Sequence, residues 1–466
     1  MSTHAGAQAT IRMEGKHLMT STKRLKVSEN GRYLIDEDGA PWFYLGDTAW
    51  ELFHRLNREE ADYYLETRAA QGFTAIQAVV LAEFDGLRMP NAQGDVPLEN
   101  SDPTRPVEAY FAHVDYIVNK AQSLGLFVAM LPTWGDKWNQ AQPNDYAGPE
   151  IFTPENAHVY GEFLGNRYSD KPIIWVLGGD RSVDNDRHRA ITRSMARGLA
   201  RGDNGAHLMT WHPRGGESSS INWHQDDWLS FNMLQSGHCG RDIPNDALVS
   251  TDYHLMPAKP CLDGEPCYED HPVMTPQWGA TPGAWFDSHD VRKAAYRALF
   301  SGAHGHTYGC HDIWQMWDEN RAAVNCVRTP WREAIHLPGA NQMRHARALM
   351  QSRPFLSRVP DNSIIVSQDA PGIESKARQT LATRDENGSY ALIYAASGEA
   401  FTVDMSAIKA DKARACWFDP RNGTTTPLHE YSCSGVQAFQ PPSSGPDCDW
   451  ILILDDAARN FPLPAL

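Results

Sequence analysis

Short apolar runs and amphipathic stretches alternate along the first three quarters of the chain, and this pattern predicts strand after helix after strand. FTAIQAVVLA (73–82), LFVAMLPTW (126–134), KPIIWVLGGD (171–180), HLMTWHP (207–213), WLSFNMLQSGH (228–238) and PCLDGE (260–265) serve as its second to seventh strands. Apolar runs bounded by turn residues suit strands buried on both faces of a parallel sheet. A hairpin turning at Asp38-Gly39 leads into a first strand ending near Asp47, and AHGHTYGCHDIW contains an eighth. The helices carry recognisable caps: Asn57 with Gly72 beyond the far end, Thr153-Pro154, and Ser288. SSSINWHQDD, between the fifth and sixth strands, makes a poor helix. Eight strands alternating with helices over about 320 residues favour a TIM-type (β/α)8 barrel. A doubly wound open sheet is the alternative, and no G-x-G-x-x-G follows the first strand to support its dinucleotide-binding version.

Around Pro354 to Pro360 the texture changes. SIIVSQDA, KARQTLATRD, SYALIYAASG, FTVDMS, KARACWFDP, GTTTPL and WILILDD are short segments separated by NG, SG and PSSGPD turns, as in an all-β sandwich. At 466 residues the chain exceeds a usual single core. The expected division is a flexible tail over 1–25, a barrel over 26–355 and a β-sandwich over 356–466.

Composition narrows the function. A formal charge of −16 argues against a nucleic-acid partner, because phosphates want clustered Lys and Arg. Without an 18-residue apolar run no membrane span is expected. The N-terminus lacks the apolar core of a secretory signal, which favours the cytoplasm unless the true start differs. None of the eight cysteines forms C-x-x-C, so neither a zinc knuckle nor a redox motif is supported, and no cofactor is called for. Fifteen Trp is a high count, and sugar sites use Trp faces as apolar platforms, although any one Trp is more often core.

Two strand ends carry the chemistry. Asp180 follows Gly178-Gly179, which lets the backbone turn sharply, and partial desolvation beyond WVL raises its pKa toward an acid's role. Its structural alternative is a helix cap or a pair with Arg181. Glu265 stands between Gly264 and Pro266, where proline ends the strand; Asp263 and Glu269 compete with it. Two carboxyls from separate strands, one protonated and one ionised, are the minimum for hydrolysing a glycosidic bond. The same rim would carry Asp47, Trp50, Glu83, Trp134, Asp136, Arg181, His212, Asn232, Gln235, Tyr308 and Trp314. His304, His306 and His311 invite a metal-dependent hydrolase as an alternative, but H-x-H recruits acidic or His partners from other strands, and polar packing is commoner.

FYLGDTAW, GGDR, GEPCYE and TYG-x-x-x-IW, with NGSYALIYAASGEAFTVD and ARACWFDPRNGTTTPL near the C-terminus, resemble glycoside hydrolase family 140, the apiosidase-like enzymes, from about residue 26 onward. The resemblance implies a (β/α)8 barrel with a collagen-binding-type β domain. It further implies a retaining β-apiosidase or related furanosidase, with Asp180 as acid/base and Glu265 as nucleophile. Related barrel enzymes place Asn-Glu after the fourth strand where this chain has Gly-Asp, and the shorter acid suits a compact furanose. The expected partner is a small glycoside or oligosaccharide. The sandwich's label also raises a non-catalytic carbohydrate- or matrix-binding protein as a further alternative.

Overall fold

The computed structural model describes residues 23–140, 148–274, 280–368 and 379–464. All but the last three residues of the expected tail lie outside them, and Leu25 already opens a strand. Strands Leu25–Val27, Leu34–Asp36 and Pro41–Trp42 form a small antiparallel sheet, with the Asp38-Gly39 turn held by Asp36 Oδ1, which accepts from Asp38 N and Ala40 N. Leu25 joins the same apolar cluster as Phe127, and Trp42 packs edge-on against Phe127 at 5.2 Å, so this sheet covers the N-terminal end of the strands that follow.

Those strands are β1 (Tyr44–Thr48), β2 (Ala75–Leu81), β3 (Phe127–Thr133), β4 (Ile173–Gly178), β5 (Met209–His212), β6 (Asn232–Leu234), β7 (Cys261–Asp263) and β8 (Gly305–Tyr308). One parallel sheet runs β8-β1-β2-β3-β4-β5, and β6 pairs in parallel with β7. Single contacts tie the pair to both ends of the sheet: Ser230 N donates to Met209 O at 2.8 Å, and His304 N to Cys261 O at 3.0 Å. The interleaved helices are α1 (Arg58–Ala70), α2 (Glu108–Ser123), α3 (Pro154–Arg167), α4 (Asp186–Gly202), α5 (Asn245–Tyr253), α6 (Ser288–Phe300) and α7 (Pro338–Gln351). Between β5 and β6 stands only the turn Ser220–Trp223, in keeping with the poor helix-forming sequence there. Asn57 and Thr153 form capping boxes as expected, whereas α6 is capped by Asp287, one residue before the expected Ser288, because the Asp287 carboxylate reaches two backbone N–H groups. This is a TIM-like β/α domain.

Why its strands read as unbroken apolar runs is now clear. Ala75, Val79, Ala129, Leu131, Ile174 and Val176 point to the inside, where they meet Tyr44, Phe231, Met233 and Leu262. Their neighbours Ile76, Ala78, Val80, Val128, Met130, Ile173, Trp175 and Leu177 point outward into the layer shared with the helices. Both faces of the pleat are dry, so period-2 alternation disappears. One polar bridge crosses the interior: Gln77 accepts from Tyr44 OH and donates to Gly264 O at 3.0 Å.

The C-terminal region contains β9 (Arg358–Pro360), β10 (Ile365–Gln368), β11 (Leu381–Asp385), β12 (Tyr390–Ala395), β13 (Phe401–Asp404), β14 (Lys412–Phe418), β15 (Thr425–Ser432), β16 (Val436–Phe439) and β17 (Trp450–Asp456). An antiparallel sheet ordered β9-β11-β12-β17-β14-β15 lies against a second, β10-β13-β16, with Ile393, Trp417 and Leu454 of one meeting Phe401, Val403 and Phe439 of the other. The opposite face of the large sheet, through Tyr394, Phe418 and Ile453, belongs to the helix layer of the first domain. Tyr394 stacks on Tyr296 of α6 at 5.1 Å, and Arg292 grips Asp449 at 2.9 and 2.6 Å, both buried. Among the described residues no helix is long and apolar enough to cross a membrane.

Candidate active site

Strand β4 ends in three consecutive residues of left-handed backbone, Gly178 (φ +97°), Gly179 (φ +102°) and Asp180 (φ +56°). Side chains at the two glycines would stand 2.3 Å from His212 O and 2.6 Å from Gly135 N. Those same groups hold the turn, because Gly179 N donates to His212 O and Gly135 N to Gly179 O. The turn delivers Asp180 to the mouth of the strands at a backbone cost of about 1–2 kcal/mol for a non-glycine residue. Its side chain is 35% exposed, toward a cavity of about 270 Å³. It caps no helix, since Asn185 caps α4. Arg181 donates to the backbone oxygen of Asp180 at 2.8 Å and lies 3.4 Å from its carboxyl.

Glu265 enters the same cavity from just past β7, only 7% exposed. Gly264 before it lies tight on Met233, where a Cβ would sit 2.5 Å from Cγ. His238 Nε2 donates to Oε1 at 3.2 Å, and His212 Nε2 stands 2.9 Å from Oε2, an ion-pair approach rather than an aligned hydrogen bond. His212 is itself wedged between Trp50 and Trp134, at 5.3 and 5.8 Å.

These surroundings drive the two carboxyls in opposite directions. Burial and the charge of Glu265 raise Asp180 to about 6, against the pull of Arg181, His212 and the Gln235 amide. Burial also works to raise Glu265, but His212 and His238 outweigh it and hold the group well below the usual carboxylate range. Near pH 6 this pair therefore presents one proton donor and one ionised carboxylate. Its aromatic wall comprises Trp50, Trp134, Tyr268 and Trp314, and Trp314 stacks on Phe84 at 5.5 Å.

Two family profiles match the chain end to end, "Apiosidase-like, catalytic domain" over residues 28–357 and "Putative collagen-binding domain of a collagenase" over 359–455. The chain belongs to the apiosidase-like family. Solved structures agree. One titled "Glycoside hydrolase" is 33% identical with TM-score 0.84, covering 94% of this chain and 98% of its own. A second, titled a glycoside hydrolase family 5 protein from Bacteroides vulgatus ATCC 8482, is 32% identical with TM-score 0.85, covering 95% of each chain. A search of curated proteins gave no match. The protein is a glycoside hydrolase.

Of the rim residues read from the sequence, the apiosidase-like fold brings Trp50, Glu83, Trp134, Asp180, Gln235, Glu265 and Trp314 to the cavity, with Arg181 and His212 directly behind. Three others point away. Asp47 faces outward to α1, where its Oδ2 accepts from Arg68 Nε at 2.7 Å and from Tyr64 OH. Tyr308, paired with Asp47 across β8 and β1, donates to Glu269 Oε2 at 2.6 Å on that same outer face. Asn232 opens β6 rather than ending it, and its amide bonds to His224 Nδ1 below the mouth. Asp136 is tied to Lys137 at 2.9 Å.

The competitors of Glu265 are likewise occupied. Asp263 accepts from Ser236 Oγ at 2.7 Å and Asn245 Nδ2 at 3.2 Å, and Glu269 from Tyr308 and Gly339 N. His304, His306 and His311 do not converge: His304 bonds Cys261 O, His311 bonds Val324 O and Asn325 O, and buried His306 has no hydrogen-bond partner among the described residues. Among the described residues no group of three His, Cys, Asp or Glu is placed to hold a metal.

Sequence reasoning missed Phe84, His238, Tyr268, His271, Val324 and Asn325, all on loops beyond strand ends. QSGHCG and GEPCYE held the signal for two of them, a His and a Tyr a few residues past a strand already given to the site.

Proposed function

We propose that the protein is a retaining exo-glycosidase of the glycoside hydrolase family 140 type that removes a terminal furanoside, a β-D-apiosidase or related pentofuranosidase. The observation that carries this reading is the cavity shared by Asp180 and Glu265, whose surroundings favour the protonated form of one and the ionised form of the other. Glu265 attacks the anomeric carbon while the bond to the leaving oxygen breaks and that oxygen takes the Asp180 proton. An ester between sugar and Glu265 results. Asp180, now a carboxylate, draws a proton from water, whose oxygen attacks the anomeric carbon and frees Glu265. The apiosidase-like profile supports the furanoside, as does the shorter Asp in the acid's place, which brings the leaving oxygen close to β4. The cavity of about 270 Å³ suits a single small ring.

A panel of 4-nitrophenyl pentofuranosides and hexopyranosides, including β-D-apiofuranoside, tests the substrate, and NMR of the first-formed anomer tests retention. We expect preference for a pentofuranoside with the anomeric configuration kept. An inverted first product would replace the ester with direct attack of water, and exclusive turnover of pyranosides would remove the furanosidase assignment.

A further inference from the structure

A third acid borders the cavity and takes no part in the steps above. Glu83 stands in the turn just past β2, beside Phe84, two residues beyond a strand whose seven residues are all buried. Its charged surroundings are crowded: Arg181 attracts it, while Asp136, Asp180 and Glu51 repel. Those neighbours already have partners of their own. Asp136 holds Lys137, Glu51 holds His54, and Arg181 holds the backbone of Asp180. Glu83 has no hydrogen bond or ion pair within the described residues, and it opens onto the cavity rather than into packed core. No Lys or Arg is found among the described lining residues, so an anionic sugar would meet the ionised Glu265 with no lysine or arginine in the cavity wall to offset it.

We propose that Glu83 is a specificity-determining residue whose carboxyl holds a hydroxyl of an uncharged sugar beside Asp180. Burial and the neighbouring acids, outweighing Arg181, raise Glu83 to about 8, so at the pH where Asp180 is protonated it carries its proton too. A neutral carboxyl both donates and accepts, which matches a sugar hydroxyl. An ionised one could only accept. This assignment rests on the glycosidase reading and adds the class of sugar and the group that selects it.

The test uses the 4-nitrophenyl glycoside that the wild-type enzyme turns over best, together with its monodeoxy analogues. Glu83→Ala should lower kcat/KM about 30-fold, chiefly through KM, the cost of leaving a polar partner unpaired. Glu83→Gln, which keeps a donor and an acceptor, should restore most of that loss. On the one deoxy analogue lacking the held hydroxyl, wild type and Glu83→Ala should agree within about threefold, the mark of direct coupling. The corresponding 4-nitrophenyl glycuronide should be turned over by neither.

Glu83→Gln as impaired as Glu83→Ala, an alanine loss that persists on every deoxy analogue, or unchanged KM in Glu83→Ala would each overturn the assignment. A purely structural Glu83 would lower Tm in the alanine variant without the hydroxyl dependence. Should no aryl glycoside be turned over, the glycosidase reading fails separately. Quenching of the cavity tryptophans by free pentoses and hexoses then decides about Glu83, which stands if Glu83→Ala weakens that binding and falls if it does not, or if no sugar binds.

Discussion

Asp180 and Glu265 end two strands of one parallel system and face one cavity, yet almost everything around them differs. Asp180 sits on a left-handed turn, a third exposed, with its nearest cation spent on a backbone oxygen. Glu265 is nearly enclosed and touches two imidazoles. Burial works on both in the same direction; what separates them is donors. The acid lacking a strong donor keeps its proton, and the acid with His238 donating to it and His212 2.9 Å away gives it up. The roles proposed for the two follow from their neighbours, and swapping those neighbours should swap the roles more readily than moving the carboxyls.

The strongest way to break this contrast is to remove its ionised member. Glu265→Ala should lower kcat on the order of 10⁴-fold or more, since two steps pass through that carboxylate. Azide should rescue it and yield a glycosyl azide. Residual activity near wild type, or rescue without that adduct, would move the nucleophile elsewhere. Asp180→Asn should lower kcat/KM about 10²–10⁴-fold with a poor leaving group and far less with 4-nitrophenolate, which needs little proton donation in the first step. Equal losses on both substrates would deny Asp180 the acid's role.

A third buried carboxylate sharpens the point from outside the cavity. Asp47 is locked against Arg68 and Tyr64 on the outer face of β1, so its removal strands a buried guanidinium. Asp47→Ala should cost about 3–5 kcal/mol of stability in urea unfolding and leave KM of the folded enzyme unchanged. A raised KM with unchanged stability would return Asp47 to the site.

Why Asp47, Tyr308 and Asn232 were read onto the rim although their side chains lie elsewhere is a matter of parity and of strand bounds. A strand apolar on both faces gives no alternation from which to read which side chains look inward, so Asp47 and Tyr308 could be placed at a strand end but not on a face. For β6 the run WLSFNMLQSGH hides where the strand begins, and the three residues Asn232–Leu234 separate its base from the mouth at Gln235. Asp180 and Glu265 escaped this ambiguity because glycine before each marks the strand's end chemically. His238 and Tyr268 lie on loops, whose paths no periodicity encodes. In the C-terminal region, turns marked most strands but not β9 or β16, and β12 and β17 are buried on both sides because the sheet also covers α6, a contact invisible in local pattern.

The finest prediction concerns the pH range over which the two roles coexist. Asp180 must hold a proton, so activity is present below its pKa and lost as pH rises through about 6. Glu265 must be without one, so activity is present above its pKa and lost as pH falls through about 2. The profile of kcat/KM should thus fall on its alkaline side near 6 and stay level on the acid side as far as circular dichroism shows the fold intact. His238→Ala removes the imidazole that donates to Glu265 and leaves only His212 beside it. Its acid limb should therefore move upward by about one unit, equivalent to about 1.4 kcal/mol, while the alkaline limb stays near 6. A shift of both limbs together would mean that the pair titrates as one unit and that the imidazoles do not discriminate between its members. A shift of the alkaline limb alone would exchange the roles, making Glu265 the donor and Asp180 the group that attacks.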